Sequence, residues 1–290
     1  MPKNNLDSTN DNQSFIDLHL HTTASDGTFS PNQVVKIALE LKLKAIAITD
    51  HDTVGGIKEA LEVAENEPIE VIPGIEFSTE INSVSIHIVG LFVDYHNKEL
   101  LKLTHEIQNA REIRAKKIIE KINSLDIGPK IDFNDVKNIA SGFIGRPHIA
   151  EVMIAKGIIL TIDEAFEKYL NRGKPAYIPR YKLTPIEAVS FLNNIGAIPI
   201  LAHPCHISEK IELERLIQEL KEAGLVGLEI YYPAHSHEDI DKLQALAKKY
   251  DLLESGGSDC HGEINNGTMI GCVAIPYSVL TNIKKRLKQK

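Results

Sequence analysis

The chain has 290 residues, 43% of them hydrophobic, enough to bury a full core in one large α/β domain or in a domain carrying an insertion, and this excludes disorder for all but the ends. A net charge of −8 argues against a broad electrostatic grip on a nucleic-acid backbone while leaving room for a local basic pocket around a phosphate. Cys205, Cys260 and Cys272, odd in number and without CxxC spacing, suit reduced thiols buried as small hydrophobes rather than a disulfide framework.

In chain order, the polar opening "MPKNNLDSTNDNQS" (1–14) reads as a disordered tail, and no later stretch approaches the roughly 18 apolar residues that cross a bilayer. A soluble, cytoplasmic protein is expected. The runs "FIDLHLH", "KAIAITDHD", "IEVIPGIEFS", "SIHIVGLFV", "AIPILAHP", "GLEIYY" and "LLESGGSDCH" read as short strands, and amphipathic segments follow several of them, which gives a βα rhythm and a mostly parallel sheet. Ser30 with Pro31, and Thr184 with Pro185 and Glu187, mark helix starts. Between about Tyr95 and Arg180 the rhythm breaks. Leu103, Ile107, Ala110, Ile118, Ile122 and Leu125 share one helical face, and further helices are expected at "RPHIAEVMIAKG" and, from the Thr161/Glu164 capping box, at "TIDEAFEKYL". Residues 95–180 are therefore read as a helical insertion of roughly 85 residues, close to the lower end of domain size.

His19 and His21 lie two apart on a strand, so both side chains leave one face, an economical way to offer two imidazoles to one metal. Alone the pair is weak, since two surface or core histidines have the same spacing. Later apolar runs, however, also end in candidate ligands: Asp50, His51 and Asp52, then Glu76, His87, His203, and finally Asp259 and His261. In parallel α/β folds functional groups collect at the carboxyl ends of strands, so these runs deliver their polar residues to one mouth. A polynuclear metal site is expected there. Such a cluster can bind phosphate oxygens, activate water near neutral pH and stabilise a leaving alkoxide, all of which phosphoester hydrolysis needs. Mixed nitrogen and oxygen ligands without thiolate suit Mn, Fe or Zn rather than Ca.

The segments "DLHLHTTASDGTFSP", "ITDHDTVGG", "PGIEFS", "AHP" and "SDCHG", in this order, resemble the PHP (polymerase and histidinol phosphatase) superfamily over nearly the whole chain. "GRPHIAEVM", "GKPAYIP" and "YYPAHS" resemble its branch of nucleoside 3′,5′-bisphosphate phosphatases and RNase AM-type 5′-to-3′ exoribonucleases. The resemblance implies a distorted (β/α)7 barrel, formed by residues 15–94 and 181–290, with 95–180 as a substrate-recognition insertion. It implies three metal ions, with Mn favoured over Zn or Fe. His19, His21, Glu76 and Asp259 match the ligands of one ion, Asp26, His51 and His261 those of a second, and Glu76 bridges to a third completed by His87 and His203. Asp26, His51, Glu76 and Asp259 count as catalytic as well as ligating. Cys260 is expected to point away, and His206, His235, His237, His96, His105, Asp50 and Asp52 are left as surface or loop-fixing groups.

Arg111 and Arg114 share a helix face, and Arg146 and His148 flank Pro147 at a helix start. Their ordinary reading is a solvated surface. The resemblance implies instead that they hold the nucleotide, with Lys174 and Tyr177 as secondary candidates. The expected activity is metal-dependent hydrolysis of a phosphoester in a small nucleotide or at a short RNA 5′ end, with no membrane or protein partner. A histidinol-phosphate-type phosphatase and a non-catalytic metal-binding module are the alternatives.

Overall fold

The alternating apolar runs and capped helices of the sequence assemble into a curled sheet wrapped by helices in the computed structural model, which describes residues 15–82, 84–140, 144–179, 182–207, 211–262 and 268–289. The expected tail 1–14 and the expected insertion boundary at 180 lie outside the described residues. The elements are β1 (Phe15–Leu20), α1 (Pro31–Glu40), β2 (Ala45–Ile48), α2 (Ile57–Ala64), β3 (Glu70–Ile81) and β4 (Val84–Leu91). They continue with α3 (Lys98–Ser124), α4 (Phe133–Ile139), α5 (Arg146–Ala155), α6 (Ile162–Ala165), α7 (Pro185–Asn194), β5 (Ile198–Leu201) and α8 (Leu213–Glu222). The last are β6 (Gly227–Tyr231), α9 (His237–Lys249), β7 (Leu253–Gly256), β8 (Ile275–Pro276) and α10 (Tyr277–Leu287). Ser30 and Thr184 cap α1 and α7 in reciprocal capping boxes with Gln33 and Glu187, as their spacing predicts.

The strands are ordered β7-β6-β5-β4-β3-β2-β1-β8. The barrel is nearly closed: Asp259 N–H donates to His19 O (2.9 Å) and His21 N–H to Cys260 O (3.1 Å), stitching the chain beyond β7 to β1. Pairing is parallel for β1/β2, β2/β3, β5/β6 and β6/β7, but β4 runs antiparallel to both β3 and β5. The βα rhythm hides this reversal, because β3 and β4 are joined by a turn too short for a crossover helix. The two-residue β8, antiparallel to β1, carries too few residues to register as a strand in the sequence.

Two apolar layers hold this frame. Ile16, Leu18, Ala45, Ala47, Ile72, Val89, Leu91, Ile198 and Ile200 pack on the inner face and continue into Val279, Leu280 and Ile283 of α10. Leu20, Ile46, Ile48, Phe77 and Ile88 instead pack outward with residues of α1, α2, α7, α8 and α9. The change of face between Leu18 and Leu20 comes from a bulge. β1 advances four residues from Ile16 to Leu20 while β2 advances three, from Ala45 to Ile48. A bulge of this kind re-aims the side chains beyond it. A third cluster, including Ile118, Ile122, Val136, Ile149, Val152, Met153 and Leu170, belongs to α3–α6 and their connections.

Candidate metal centre and anion cleft

Beyond the β1 bulge, His19 and His21 face the barrel mouth with rings 5.3 Å apart, and both are buried. Glu76 rises from β3 with no solvent exposure. Its Oε1 lies 3.3 Å from His19 Nε2, 3.2 Å from His87 Nδ1 and 3.3 Å from His203 Nε2. Its Oε2 lies 3.2 Å from His21 Nε2 and 2.9 Å from His51 Nδ1. Asp259 Oδ1 approaches His21 Nε2 at 3.1 Å and His19 Nε2 at 3.4 Å. Asp26 meets His261 Nε2 at 3.4 Å, His21 Nδ1 at 3.7 Å and His51 Nε2 at 3.9 Å. His87 reaches this mouth from the first half of β4, not from the end of its run, because β4 is reversed and pairs His87 with Ser78.

The charges interlock. Burial alone favours neutral imidazoles, but Glu229, Glu76 and Asp259 outweigh it at His19 and hold its pKa well above the ordinary value. At His21, burial is likewise overcome by Asp259 and Glu76, and the pKa rises to about 10. Burial pushes the Glu76 carboxyl up, yet His51, His19 and His87 bring it well below the usual range, and Asp259 is lowered in the same way by His19 and His21. His87 and His261 end near 4, through burial first and then through neighbouring imidazoles.

Despite these short separations, His19 Nε2, both ring nitrogens of His21, Glu76 Oε2 and Asp259 Oδ1 are buried without an aligned hydrogen-bond partner. Lone pairs that converge on common points rather than on one another fit divalent cations. Three groups have donor atoms mutually within 4.8 Å: His21, Asp26, His51 and His261; His19, His21, Glu76 and Asp259; and His51, Glu76 and His87. The third differs from the expected set in that His51 joins Glu76 and His87, while His203, with Nε2 3.3 Å from Glu76 Oε1 and its ring 5.0 Å from that of His87, stands just outside the group.

The loops carrying these groups are shaped by buried side chains. Asp50 accepts from Thr22 N–H (2.7 Å), Thr22 Oγ1 (2.8 Å) and Ser25 Oγ (2.6 Å), which fixes the turn leading to Asp26. Asp52, His203 and Asp259 take positive φ of 53°, 28° and 53°, left-handed conformations unusual for non-glycine residues and common where a site demands a fixed direction. Cys260 is turned away, its Sγ near Thr268 O at 3.3 Å. Cys205 is half-buried and Cys272 exposed, so burial holds for Cys260 alone; none of the three forms a disulfide. Loops can place such thiols at the surface, which spacing alone does not reveal.

Beside the centre lies a cleft of about 240 Å³ lined by Arg111, Arg114, Arg146, Tyr177, Lys182 and Glu80, among others. Arg114 Nε donates to Ile178 O (2.8 Å) and Arg146 Nη1 to Leu170 O (3.0 Å), which anchors each guanidinium at the cleft. Burial, then the positive charges of Arg146 and Arg111, lower Arg114 to about 10, still protonated at neutral pH. Arg111 is buried and donates through Nη2 to Asp52 Oδ2, whose other oxygen accepts from Ser78 N–H at 3.0 Å. His148 does not line the cleft; its Nδ1 accepts from Gly145 N–H (3.1 Å) at the start of α5. Lys174 is exposed and outside it.

Sequence reasoning left out Glu80, Lys182 and Glu229, and it set Asp52 aside as a surface or loop-fixing group. A carboxylate in the middle of the apolar run "GLEIYY" was the available signal for Glu229, and the link of Asp52 to the cleft shows only through its partner Arg111 on α3. His206 and Tyr232 stand next to the centre, His206 with its ring 5.1 Å from those of His203 and Tyr232, and Tyr232 donating to Asp259 Oδ2 at 3.3 Å. His235 bonds Ile230 O through Nδ1 at 2.8 Å, while His237 opens α9 on the surface. His96 packs on Tyr95, and His105 pairs with Asn109 on the exposed face of α3.

A nearly closed α/β barrel with imidazoles and carboxylates gathered at its mouth defines a metal-dependent hydrolase. The PHP domain family matches residues 17–145, and the chain belongs to it. A 5′-3′ exoribonuclease of Haemophilus influenzae is 34% identical over 246 residues, covering 84% of this chain and 89% of the relative. A 3′,5′-nucleoside bisphosphate phosphatase of Chromobacterium violaceum is 30% identical over 257 residues, covering 88% and 90%. A solved Bifidobacterium adolescentis structure described as a metal-dependent phosphoesterase superposes with a TM-score of 0.78 at 29% identity, covering 94% of this chain and 96% of that one. Among the described residues no helix is long and apolar enough to cross a membrane.

Proposed function

We propose that the protein hydrolyses a phosphate ester of a nucleotide-type substrate, a nucleoside 3′,5′-bisphosphate or the 5′ end of a short RNA. The observation that carries this reading is the adjacency of two sites: the histidine–carboxylate mouth, which would bind phosphate oxygens through the metal ions it holds, and the basic arginine cleft, joined through the Asp52–Arg111 pair next to His51. Two phosphates on one small molecule match two such sites, and the relatives named for bisphosphate and RNA substrates favour this over histidinol phosphate.

His19, His21, Asp26, His51, Glu76, His87, His203, Asp259 and His261 would hold divalent ions, three in number and Mn by preference. Bound there, the ions polarise the phosphoryl group and lower the pKa of a water nucleophile. Glu76, with five imidazoles around it, holds the ligand shells together. Arg114 and Arg146 hold the non-reacting phosphate, and Arg111 orders the cleft floor by neutralising Asp52. Residues 95–180, with an apolar cluster of their own, serve as the recognition unit on a barrel made by 15–94 and 181–290. A reducing cytoplasm suits three cysteines that form no disulfide.

The test is turnover by protein stripped of metal and reconstituted with Mn, on a nucleoside 3′,5′-bisphosphate, a short 5′-phosphorylated RNA and histidinol phosphate. Mn-dependent hydrolysis of one of the first two, with the highest kcat/KM, is expected. Preference for histidinol phosphate would overturn the substrate class, and full turnover in excess chelator with negligible metal content would overturn the metal role.

A further inference from the structure

Glu229 lies on β6, outside all three candidate ligand groups, and is 3% exposed. A buried carboxylate without a strong partner is costly, so its contacts state its task. Both oxygens are engaged: Oε1 sits 2.9 Å from His19 Nδ1, and Oε2 accepts the backbone N–H of His203 at 2.7 Å. His19 and His203 belong to different strand ends, β1 and β5, and their rings stack at 5.9 Å with an interplanar angle of 21°. His203 holds φ 28° and ψ 57°, a conformation that its own side chain does not favour.

We infer that Glu229 is a positioning residue for the metal centre: by accepting from His19 Nδ1–H and from His203 N–H, it directs His19 Nε2 at the centre and fixes the strained turn that presents His203. The inference rests on the metal-dependent reading above. The carboxylate has two donors to satisfy and two oxygens to satisfy them with. In a Glu229→Gln variant, one donor must face an amide NH2, so the isosteric change cannot preserve both bonds. An acceptor behind a ligating imidazole sets its tautomer and ring direction, and loss of such a group commonly lowers metal affinity about tenfold to a hundredfold.

The experiment measures Mn and Zn affinity by chelator competition for wild type, Glu229→Gln, His19→Ala and the double variant. Glu254→Gln serves as a control on the neighbouring strand, since Glu254 accepts from Tyr231 Oη (2.7 Å), away from the centre. Glu229→Gln should weaken affinity about tenfold to a hundredfold, and the loss should shrink markedly in the His19→Ala background; Glu254→Gln should leave affinity unchanged. In Zn-loaded wild type, nitrogen-15 NMR should show His19 with a protonated Nδ1. That readout needs no variant and decides the matter if Glu229→Gln does not fold. Wild-type affinity in a folded Glu229→Gln protein, an equal loss with and without His19, or a deprotonated Nδ1 would each overturn the role of Glu229 while leaving the metal centre in place. A wild-type protein that binds neither metal would overturn the metal-dependent reading itself, and this inference with it.

Discussion

Glu76 has five imidazoles within 3.3 Å of its two oxygens, more than any other carboxylate at the mouth. Its removal strips an anionic bridge from all of them at once, so Glu76→Ala should abolish turnover at saturating Mn. His19→Ala removes one donor from one ligand group and should leave the more measurable residue of activity. Steady-state kinetics with circular dichroism to confirm folding checks the order, and near wild-type kcat in both would overturn the ligand assignment. Arg114 and Arg146 call for a different measurement. Losing one charged hydrogen-bonding partner costs about 1.5–3 kcal/mol, or roughly tenfold to a hundredfold in affinity. Arg114→Ala or Arg146→Ala should lower kcat/KM by that order for a bisphosphate and far less for an aryl phosphate, which has no second phosphate to lose. Equal small losses on both substrates would return these arginines to a structural role. Eight of the nine ligand candidates stand out in the sequence as polar residues in or just after apolar runs, where a packed strand seldom needs them, whereas Asp26, in a loop, is singled out as a ligand only by the family resemblance. His148 was not distinguishable from a cleft residue, since anion binding and helix capping ask for the same residue types at a helix start.

At the scale of elements, the tie between α3 and the end of β2 is the buried Arg111–Asp52 pair. Breaking a buried pair from one side leaves a charge uncompensated, typically at about 3–5 kcal/mol. Arg111→Ala should therefore lower the melting temperature by several degrees, and Asp52→Asn in the same chain should recover part of the loss. Thermal unfolding of the two variants checks this; an unchanged melting temperature in Arg111→Ala would show the pair to be dispensable. The closure of the barrel depends on a different contact. A Cβ at Gly257 would meet His19 Cβ at 2.3 Å and His19 N at 2.5 Å, so only glycine lets the chain beyond β7 lie against β1. Gly257→Ala should force Asp259 and His261 away from His19 and His21, with at least the 1–3 kcal/mol of an overpacked site, about, and weaker metal binding. Unaltered stability and Mn affinity would show that the segment can give way. Helix starts and strand runs were readable from local rules. The reversal of β4 was not, because a strand's direction is set by the length of its connection rather than by its own residues.

For the whole molecule, the titration of the metal-free centre gives a signed expectation. His21, raised to about 10, and His19, raised well above 6.5, contribute stability that is complete below about 6.5, the ordinary histidine value, and is lost as pH rises through their folded values. His87 and His261, lowered to about 4, contribute stability present above 6.5 and lost as pH falls toward 4; Glu76 and Asp259, also lowered, fail at still lower pH. Metal-free protein should thus unfold at its highest temperature near pH 6.5 and at lower temperatures on either side. Mn affinity should rise with pH, because His19 and His21 must release protons to bind it. Melting curves in chelator and proton-release calorimetry check both; a monotonic pH profile of the metal-free melting temperature would contradict the coupled charges. Net charge misleads at this scale. Residues 95–180 carry 15 Lys and Arg against 11 Asp and Glu within a chain of net −8, so a whole-chain average conceals the basic cleft.

The bulge in β1 makes the centre depend on a count as well as on chemistry. One added residue between Ile16 and Leu20 lets Ile16 and Leu18 face the barrel interior and His19 and His21 face its mouth, although strict alternation would set the two pairs on opposite sides. Apolar exchanges of similar size at Ile16 or Leu18 leave that count untouched. Deleting a single residue there would keep every other amino acid of the protein and yet swing both imidazoles out of the barrel, a frame error written in three dimensions. Length, in these six residues, is itself a functional trait.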